Sequence, residues 1–256
     1  MGLTSTFARQ WATIVTTYPH PLIEFCGSLV VQVLFFWIPC SIYMSLEHIA
    51  PAFARRHKIQ PAPKPATRSD ILQCLQVVLR NQVVATIMQI LLLGANHFSG
   101  KPSKYRIVPV LPSAFEFLSG IALSILIREV SFYYIHRIFH QPYFYARIHK
   151  THHRFVAPMS LAAQYASIPE HIVANIMPLV LPGLLFDCHI LTYWGFLASQ
   201  LIDTSTVHSG YDFFARVAEM HDKHHELFNV NYGVIGLVDW VHGTNNGARK
   251  ARVKGS

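Results

Sequence analysis

His136-Arg137-Ile138-Phe139-His140, His149-Lys150-Thr151-His152-His153 and, about seventy residues later, His221-Asp222-Lys223-His224-His225 decide how this chain is read. Their spacings are H-x3-H, H-x2-H-H and H-x2-H-H. Residues three and four apart share a helix face. Helical boxes would therefore turn His136 with His140, His149 with His152 and His153, and His221 with His224 and His225, each set to one side. Eight imidazoles exceed the about four ligands that one zinc ion takes, and they suit a pair of metal ions. A lone histidine is ordinarily a polar side chain with a mundane partner. That explanation does not fit three clusters of the same kind. Nor is the distribution even: residues 1–135 hold four histidines (His20, His48, His57, His97), whereas residues 136–225 hold eleven.

The rest of the composition says where such a site sits. Of 256 residues, 52% are hydrophobic and only 13% charged, with positive mean hydropathy. That balance is too apolar for an ordinary soluble enzyme and points to a membrane protein of one domain, or one domain with an anchor. The net charge of +8 does not imply nucleic acid, because no nucleic-acid module is recognisable and basic residues also flank membrane spans on the cytoplasmic side. Cys26, Cys40, Cys74 and Cys188 lie in apolar stretches without C-x2-C spacing. They read as buried free thiols, not as disulfides. The N-terminus lacks the pattern of a cleaved signal peptide.

Outward from the boxes, residues 114–135 form an apolar segment that runs straight into His136. Residues 22–46 are long and apolar enough to span a bilayer, with Pro39 as a possible kink. A second apolar segment, 71–95, is interrupted by Arg80, Asn81 and Gln82, with Ser69 or Asp70 as candidate cap. Residues 172–206 are apolar but broken by Pro178, Pro182, Gly183 and Asp187. They read as a hairpin that enters the membrane and returns His208 to the side of the other boxes. With the boxes in the cytosol, the 51–70 loop and the C-terminal tail carry five and four Lys/Arg, against three in the 96–113 loop and one at the N-terminus. The bias follows the positive-inside rule weakly.

Imidazole ligands with open coordination positions suit redox metals that activate oxygen. A shell of neutral histidines leaves the metal more positive than carboxylates would. That favours oxidation strong enough to take hydrogen from an unactivated C–H bond. A site at the membrane surface lets a greasy substrate arrive from the bilayer. Ligating imidazoles usually give their other N–H to a carboxylate or carbonyl. Glu129, seven residues before His136, is a candidate for that role or for a helix salt bridge. Glu170 is a second candidate carboxylate; Asp203, Asp212 and Glu219 also lie near histidines, and Asp222 reads as a solvent-facing or helix-start residue. His208 is a candidate ligand and His171 an open case. His189, His242 and the four N-terminal histidines read as structural or surface residues, and the aromatics of 132–145 as interfacial packing.

These residues resemble the fatty-acid hydroxylase / sterol desaturase superfamily of membrane diiron enzymes. The resemblance runs from about Glu129 to Thr244. It rests on H-R-x-x-H at 136–140, H-x-x-H-H at 149–153, Ala157-Pro158, H-S-G-Y-D at 208–212, H-D-x-H-H at 221–225, Asn231-Tyr232-Gly233 and D-W-x-H-G-T at 239–244. H-S-G-Y-D and Ala218 to His225 are most similar to C-4 methylsterol oxidases. The resemblance implies metal ligands at His136, His140, His149, His152, His153, His208, His221, His224 and His225. Glu129 falls where many members have Asp and is expected to orient a ligand. Members often have His-Pro-x-Glu after the second box. Here the run is Ser167-Ile168-Pro169-Glu170, so that histidine is absent and His171 is the candidate substitute.

The resulting expectation is an all-α integral membrane helical bundle with a cytosol-facing polyhistidine dimetal site. Residues 1–128 would be the anchor, 129–244 the catalytic domain with a membrane hairpin at 172–206, and 245–256 a basic tail. The resemblance implies two iron ions, O2 as co-substrate, and electrons from NAD(P)H through a cytochrome b5-type donor. It also implies an endoplasmic reticulum membrane location and hydroxylation, or stepwise oxidation, of a sterol-like, polycyclic or acyl lipid. Desaturation is the close alternative. A non-oxidative metal enzyme and a non-catalytic membrane protein are the others.

Overall fold

A computed structural model describes residues 3–60, 66–157, 159–213 and 217–246. The basic residues Arg249, Lys250, Arg252 and Lys254 of the tail lie outside the described residues, as do Pro61, Pro63, Lys64 and Pro65 of the basic loop, and Pro158. The described chain is overwhelmingly helical. Helix α1 is Leu3–Thr17, α2 His20–Ile49, α3 Pro51–His57, α4 Arg68–Phe98, α5 Ala114–Phe139, α6 Ile168–Val180, α7 Ile190–Val207, α8 Val217–Leu227 and α9 Leu237–His242. Two-residue strands β1 (Tyr105–Arg106) and β2 (Cys188–His189) pair in parallel at the end of the bundle remote from the boxes.

Prolines shape the long helices without ending them. Pro39 removes the N–H that would bond one turn back, and its ring crowds that carbonyl. The chain answers with a π-helical segment at Val33–Trp37, and α2 continues through it. The same device appears at His171–Ile176 before Pro178 in α6. After α6, a short helix at Pro182–Leu185 and β2 turn the chain, and α7 returns it. The chain thus reverses direction within 172–206. The cap of α4 is Thr67, not Ser69 or Asp70. Its hydroxyl accepts from Asp70 N, and the Asp70 carboxylate accepts from Thr67 N at 3.0 Å, a reciprocal capping box.

Helices α2 and α4 are long and apolar enough to cross a membrane, and little of either is buried within the protein. Leu29, Val30, Val33, Leu34 and Ile42 on α2, and Val83, Ile87, Ile90 and Leu91 on α4, face outward. So much exposed apolar surface suits lipid, not water, and the protein is a membrane-associated helical bundle. Cys40, Cys74 and Cys188 are buried free thiols, but Cys26 is exposed on α2, which an outward-facing helix position explains.

The polar triplet in α4 bonds to the 164–166 segment, with Asn81 fully buried. Arg80 donates to Ala166 O at 2.9 Å, Asn81 Nδ2 to Gln164 O and Ala166 O at 3.0 Å each, and Gln82 to the Gln164 side chain. These bonds satisfy carbonyls that the irregular 160–166 segment cannot pair within itself. They also fix the chain leading to Glu170. Helix α7 packs along α5 and α2 by close approach. A Cβ on Gly27 of α2 would lie 1.9 Å from Trp194 Cζ2.

Candidate metal centre

All box histidines come to one end of the bundle. α5 delivers His136 and His140 from consecutive turns of its last stretch. The second box is not an α-helix: His149 ends a π-helical turn (Tyr145–His149), and His152 and His153 sit in a 3-10 turn (His152–Arg154). His208 caps the C-terminus of α7, and α8 carries His221, His224 and His225.

The histidines form two groups whose candidate ligand atoms all lie within 4.8 Å of one another: His136, His140, His149, His153 and His224 in one, His152, His208, His221 and His225 in the other. The boxes are therefore split, which corrects the expectation that each presents a single face to a single place. His152 and His153 are chain neighbours and diverge. In α8, His221 and His225, four apart, go to the second group and His224 to the first. The groups abut, with the His153 and His225 rings 4.6 Å apart between centroids.

The Nε2 atoms converge. His136–His149 are 3.1 Å apart, His140–His149 3.0 Å, His149–His153 3.0 Å and His153–His224 3.2 Å in the first group. His208–His221 are 2.9 Å apart and His221–His225 3.1 Å in the second. Hydrogen bonding does not account for this. A neutral imidazole has one N–H, and on several rings Nδ1 already uses it. His136 Nδ1 donates to Tyr232 O at 2.8 Å, His149 Nδ1 to Glu170 Oε1 at 2.6 Å, His208 Nδ1 to Thr204 O at 2.8 Å and His224 Nδ1 to Val230 O at 2.7 Å. His136 and His149 therefore face each other with bare lone pairs. Such an arrangement repels unless a cation lies between. A metal about 2.1 Å from each nitrogen, with ligands near right angles, spaces them about 3.0 Å apart. The donor set fits metal ions in both groups.

Electrostatics agrees. Burial, the largest cause in each case, holds His152 down to about 4 and His208 to about 3. It also holds His149, His153, His221, His224 and His225 well below the ordinary imidazole range, with neighbouring imidazoles adding to the effect. At neutral pH these rings are unprotonated, the form that binds metal.

Glu170 sits directly behind a box histidine, on His149. Glu129 does not. Its carboxylate accepts from the backbone N–H of Val234 (2.6 Å), Ile235 (2.9 Å) and Val238 (3.0 Å), and among the described residues none of its hydrogen bonds goes to a histidine. It acts at one remove, on the loop whose Tyr232 carbonyl holds His136. His171 joins neither group: it is buried, with Nδ1 3.3 Å from Asn175 Nδ2. Asp222 is not solvent-facing but 1% exposed, and accepts from Gln60. Asp203 pairs with Arg128 at 3.8 Å. His242 is exposed and meets the Tyr134 hydroxyl at 2.9 Å, while His189 is buried and caps α7. The 132–145 aromatics do more than pack at an interface: Phe132 lies 4.9 Å from the His136 ring and Tyr145 5.9 Å from that of His153.

Asp239 is the organiser that the sequence reading missed. Its carboxylate accepts from Tyr232 N (2.9 Å), Gly233 N (2.6 Å) and Thr244 Oγ1 (2.6 Å). Glu129 and Asp239 thus gather the backbone donors of the 232–238 loop from both sides. A Cβ on Gly233 would fall 2.7 Å from Glu129 Oε1 and 2.9 Å from Asp239 Oδ2. This accounts for the glycine in Asn231-Tyr232-Gly233; the only prior signal for Asp239 was its place at the head of the quoted D-W-x-H-G-T motif. Histidines from both groups also line one cavity, with Phe132, Val207, Arg128 and Asp203 on its other walls.

The sequence profile of the fatty acid hydroxylase family matches residues 121–244. Fatty acid hydroxylase domain-containing protein 2 of Macaca fascicularis is 35% identical over 244 residues, covering 92% of this chain and 72% of that protein. Methylsterol monooxygenase 1-1 of Arabidopsis thaliana is 30% identical over 229 residues, 81% of this chain and 72% of its own. Methylsterol monooxygenase 1 of Danio rerio is 28% identical, with 89% and 79% covered. No solved structure matches the chain.

Proposed function

The chain belongs to the fatty acid hydroxylase family of oxygenases, and from that premise we propose that it is a diiron, O2-dependent hydroxylase of a membrane lipid. The lipid is sterol-like, polycyclic or acyl. Relatives named methylsterol monooxygenase favour the sterol-like class. The observation that carries the reading is the convergence of nine Nε2 atoms into two adjacent groups, several with Nδ1 already committed to a carbonyl or carboxylate.

The ligands proposed are His136, His140, His149, His153 and His224 for one iron and His152, His208, His221 and His225 for the other. Imidazole suits iron as well as zinc; bound iron would activate dioxygen and remove hydrogen from the substrate. The protein's own part is positioning. Nδ1 donation locks His136, His149, His208 and His224 in the tautomer that aims the lone pair inward. Glu170 holds His149, and Glu129 with Asp239 holds the loop under His136. The apolar cavity wall brings a C–H bond to the imidazole side, while Arg128 and Asp203 form a polar corner that suits a lipid with a hydroxyl or similar group.

The catalytic unit is assigned to residues 129–244, with 1–128 as anchor and 245–256 as tail. The multi-pass arrangement with boxes toward the cytosol is supported by the charge bias of the loops, and the endoplasmic reticulum by the family resemblance. Electrons are assigned to NAD(P)H through a cytochrome b5-type protein. Exposed Arg147, Lys150 and Arg154 beside the second box offer an acidic donor a docking face.

The test is metal analysis of detergent-purified protein, with oxygen uptake followed on a panel of methylated sterols and fatty acyl lipids in the presence of reductant. About two irons per chain and lipid-dependent uptake are expected. Zinc alone, with no uptake after iron loading, would overturn the oxygenase chemistry.

A further inference from the structure

We propose that Gln60 is a positioning residue for the second metal position, framed by His152, His208, His221 and His225, and that the segment 57–60 is the strap through which it acts. The proposal rests on the metal reading above. Gln60 lies well before residue 121, where the family match begins, in a stretch that the sequence assigns to the anchor.

Three pieces of chain, distant in sequence, supply the second position, and the strap joins all three. Gln60 Nε2 donates to both carboxylate oxygens of Asp222, at 3.0 and 3.2 Å, and stands 3.2 Å from the carbonyl of Val156. Asp222 is in α8, next to His221 and three residues before His225. Val156 closes the turn that carries His152. The strap backbone holds the third piece: Lys58 and Tyr211 form an antiparallel bridge, Ile59 N donates to Gly210 O at 3.0 Å, and Asp212 N donates to His57 O at 2.8 Å. His208 lies two residues before Gly210, which takes a φ of 77° to turn the chain into this bridge.

The side-chain chemistry makes the amide consequential. Asp222 is a buried carboxylate, and a buried charge stripped of its donor is costly. Without Gln60, α8 gains by turning Asp222 toward water. His225 shares a helix face with Asp222 and turns with it, away from the 3.1 Å approach to His221 and His208 that defines the position. The first position is better insulated. His136 and His140 sit on α5, and His224, the one member on α8, has its own anchor in Val230 O.

The experiment compares full-length, detergent-purified wild type with Gln60→Ala, Gln60→Glu and the double variant Gln60→Glu/Asp222→Asn. Ferrous iron binding per chain and the affinity of each position are titrated without oxygen, and the melting temperature of the metal-free protein is recorded. Wild type should bind about two irons. Gln60→Ala should keep the tighter one and weaken the other about 10–100-fold. Gln60→Glu sets two carboxylates against each other and should weaken it further. The double variant restores an amide–carboxylate pair with the roles exchanged, without the donor to Val156 O, and should recover part of the lost affinity for the second iron. Wild-type affinity for both irons in Gln60→Ala would overturn the proposal. So would equal loss of both irons with a lowered metal-free melting temperature, which would make Gln60 a general structural contact, and so would failure of the double variant to recover binding while it folds normally. Wild type that binds no iron would remove the metal reading itself, and is seen before any variant is made.

Discussion

The two histidine groups are made of the same ligand type but differ in how many of their rings are held from behind. The first gathers five rings. His136 and His140 stand on one rigid helix, and His136, His149 and His224 are held from behind by Tyr232 O, Glu170 and Val230 O at 2.6 to 2.8 Å; His153 Nδ1 is buried without a partner among the described residues. The second gathers four rings, of which His221 and His225 share α8. His208 has a close acceptor in Thr204 O, but His152 stands 3.4 Å from Tyr165 O, and His225 Nδ1 is buried without a partner among the described residues. Orientation of a ligand ring is itself part of metal affinity. Ligand count alone does not rank two positions; the first should fill before the second because more of its rings are already aimed.

Removing one ring from each group tests this ranking most severely. His224→Ala should cost the first metal and essentially all turnover, and should lower total metal below one per chain. His152→Ala should also abolish turnover yet retain about one metal. Metal analysis of both variants, beside lipid-dependent oxygen uptake, checks the ranking; equal residual metal in the two would refute it, and full activity in either would remove that residue from the site.

The next effect is on the supports. Glu170→Gln keeps the shape but substitutes a neutral amide for the carboxylate behind His149. Metal affinity at the first position should fall about 10–100-fold, with the second position little changed. Gly233→Ala pushes a methyl against Glu129 and Asp239 at once. Overpacking of this kind costs about 1–3 kcal/mol, and the damage should reach His136 through Tyr232. A thermal melt of the metal-free protein reads the first part and iron titration the second. An unchanged melting temperature would mean that the loop yields without cost.

These supports mark where the sequence stopped being legible. Periodicity and spacing were enough for the helices and the eight box histidines, because box spacing and apolar runs are local signals; His208 came from its place after an apolar stretch and from the resemblance. The division of each box between two groups was not legible, because it depends on a π-helical turn at Tyr145–His149 and a 3-10 turn at His152–Arg154 that break the helical face rule. Glu129 was singled out for its distance along the helix from His136. It proved to bind backbone amides more than a hundred residues away, a pairing that no local pattern encodes. Asp222 looked solvent-facing because its partner, Gln60, lies 162 residues away. The resemblance carried the histidines but left the N-terminal half without a role, and the strap comes from that half.

The smallest effect separates the strap's backbone from its side chains. His57 lends its carbonyl to Asp212, but its ring only bonds Phe53 O within its own helix and packs on Phe53 and Phe213. His57→Ala should leave metal content and turnover at wild-type levels and change stability by no more than about 0.5 kcal/mol, as for a surface change away from buried networks. His57→Pro has the opposite logic. Proline at the last position of α3 removes the N–H that helps close that helix and disfavours a helical conformation at the preceding residue, so it moves the carbonyl that Asp212 uses. If the second position depends on the strap, His57→Pro should weaken the second iron while His57→Ala does not. Equal iron binding in the two variants would mean that the strap follows the second histidine group and does not set it.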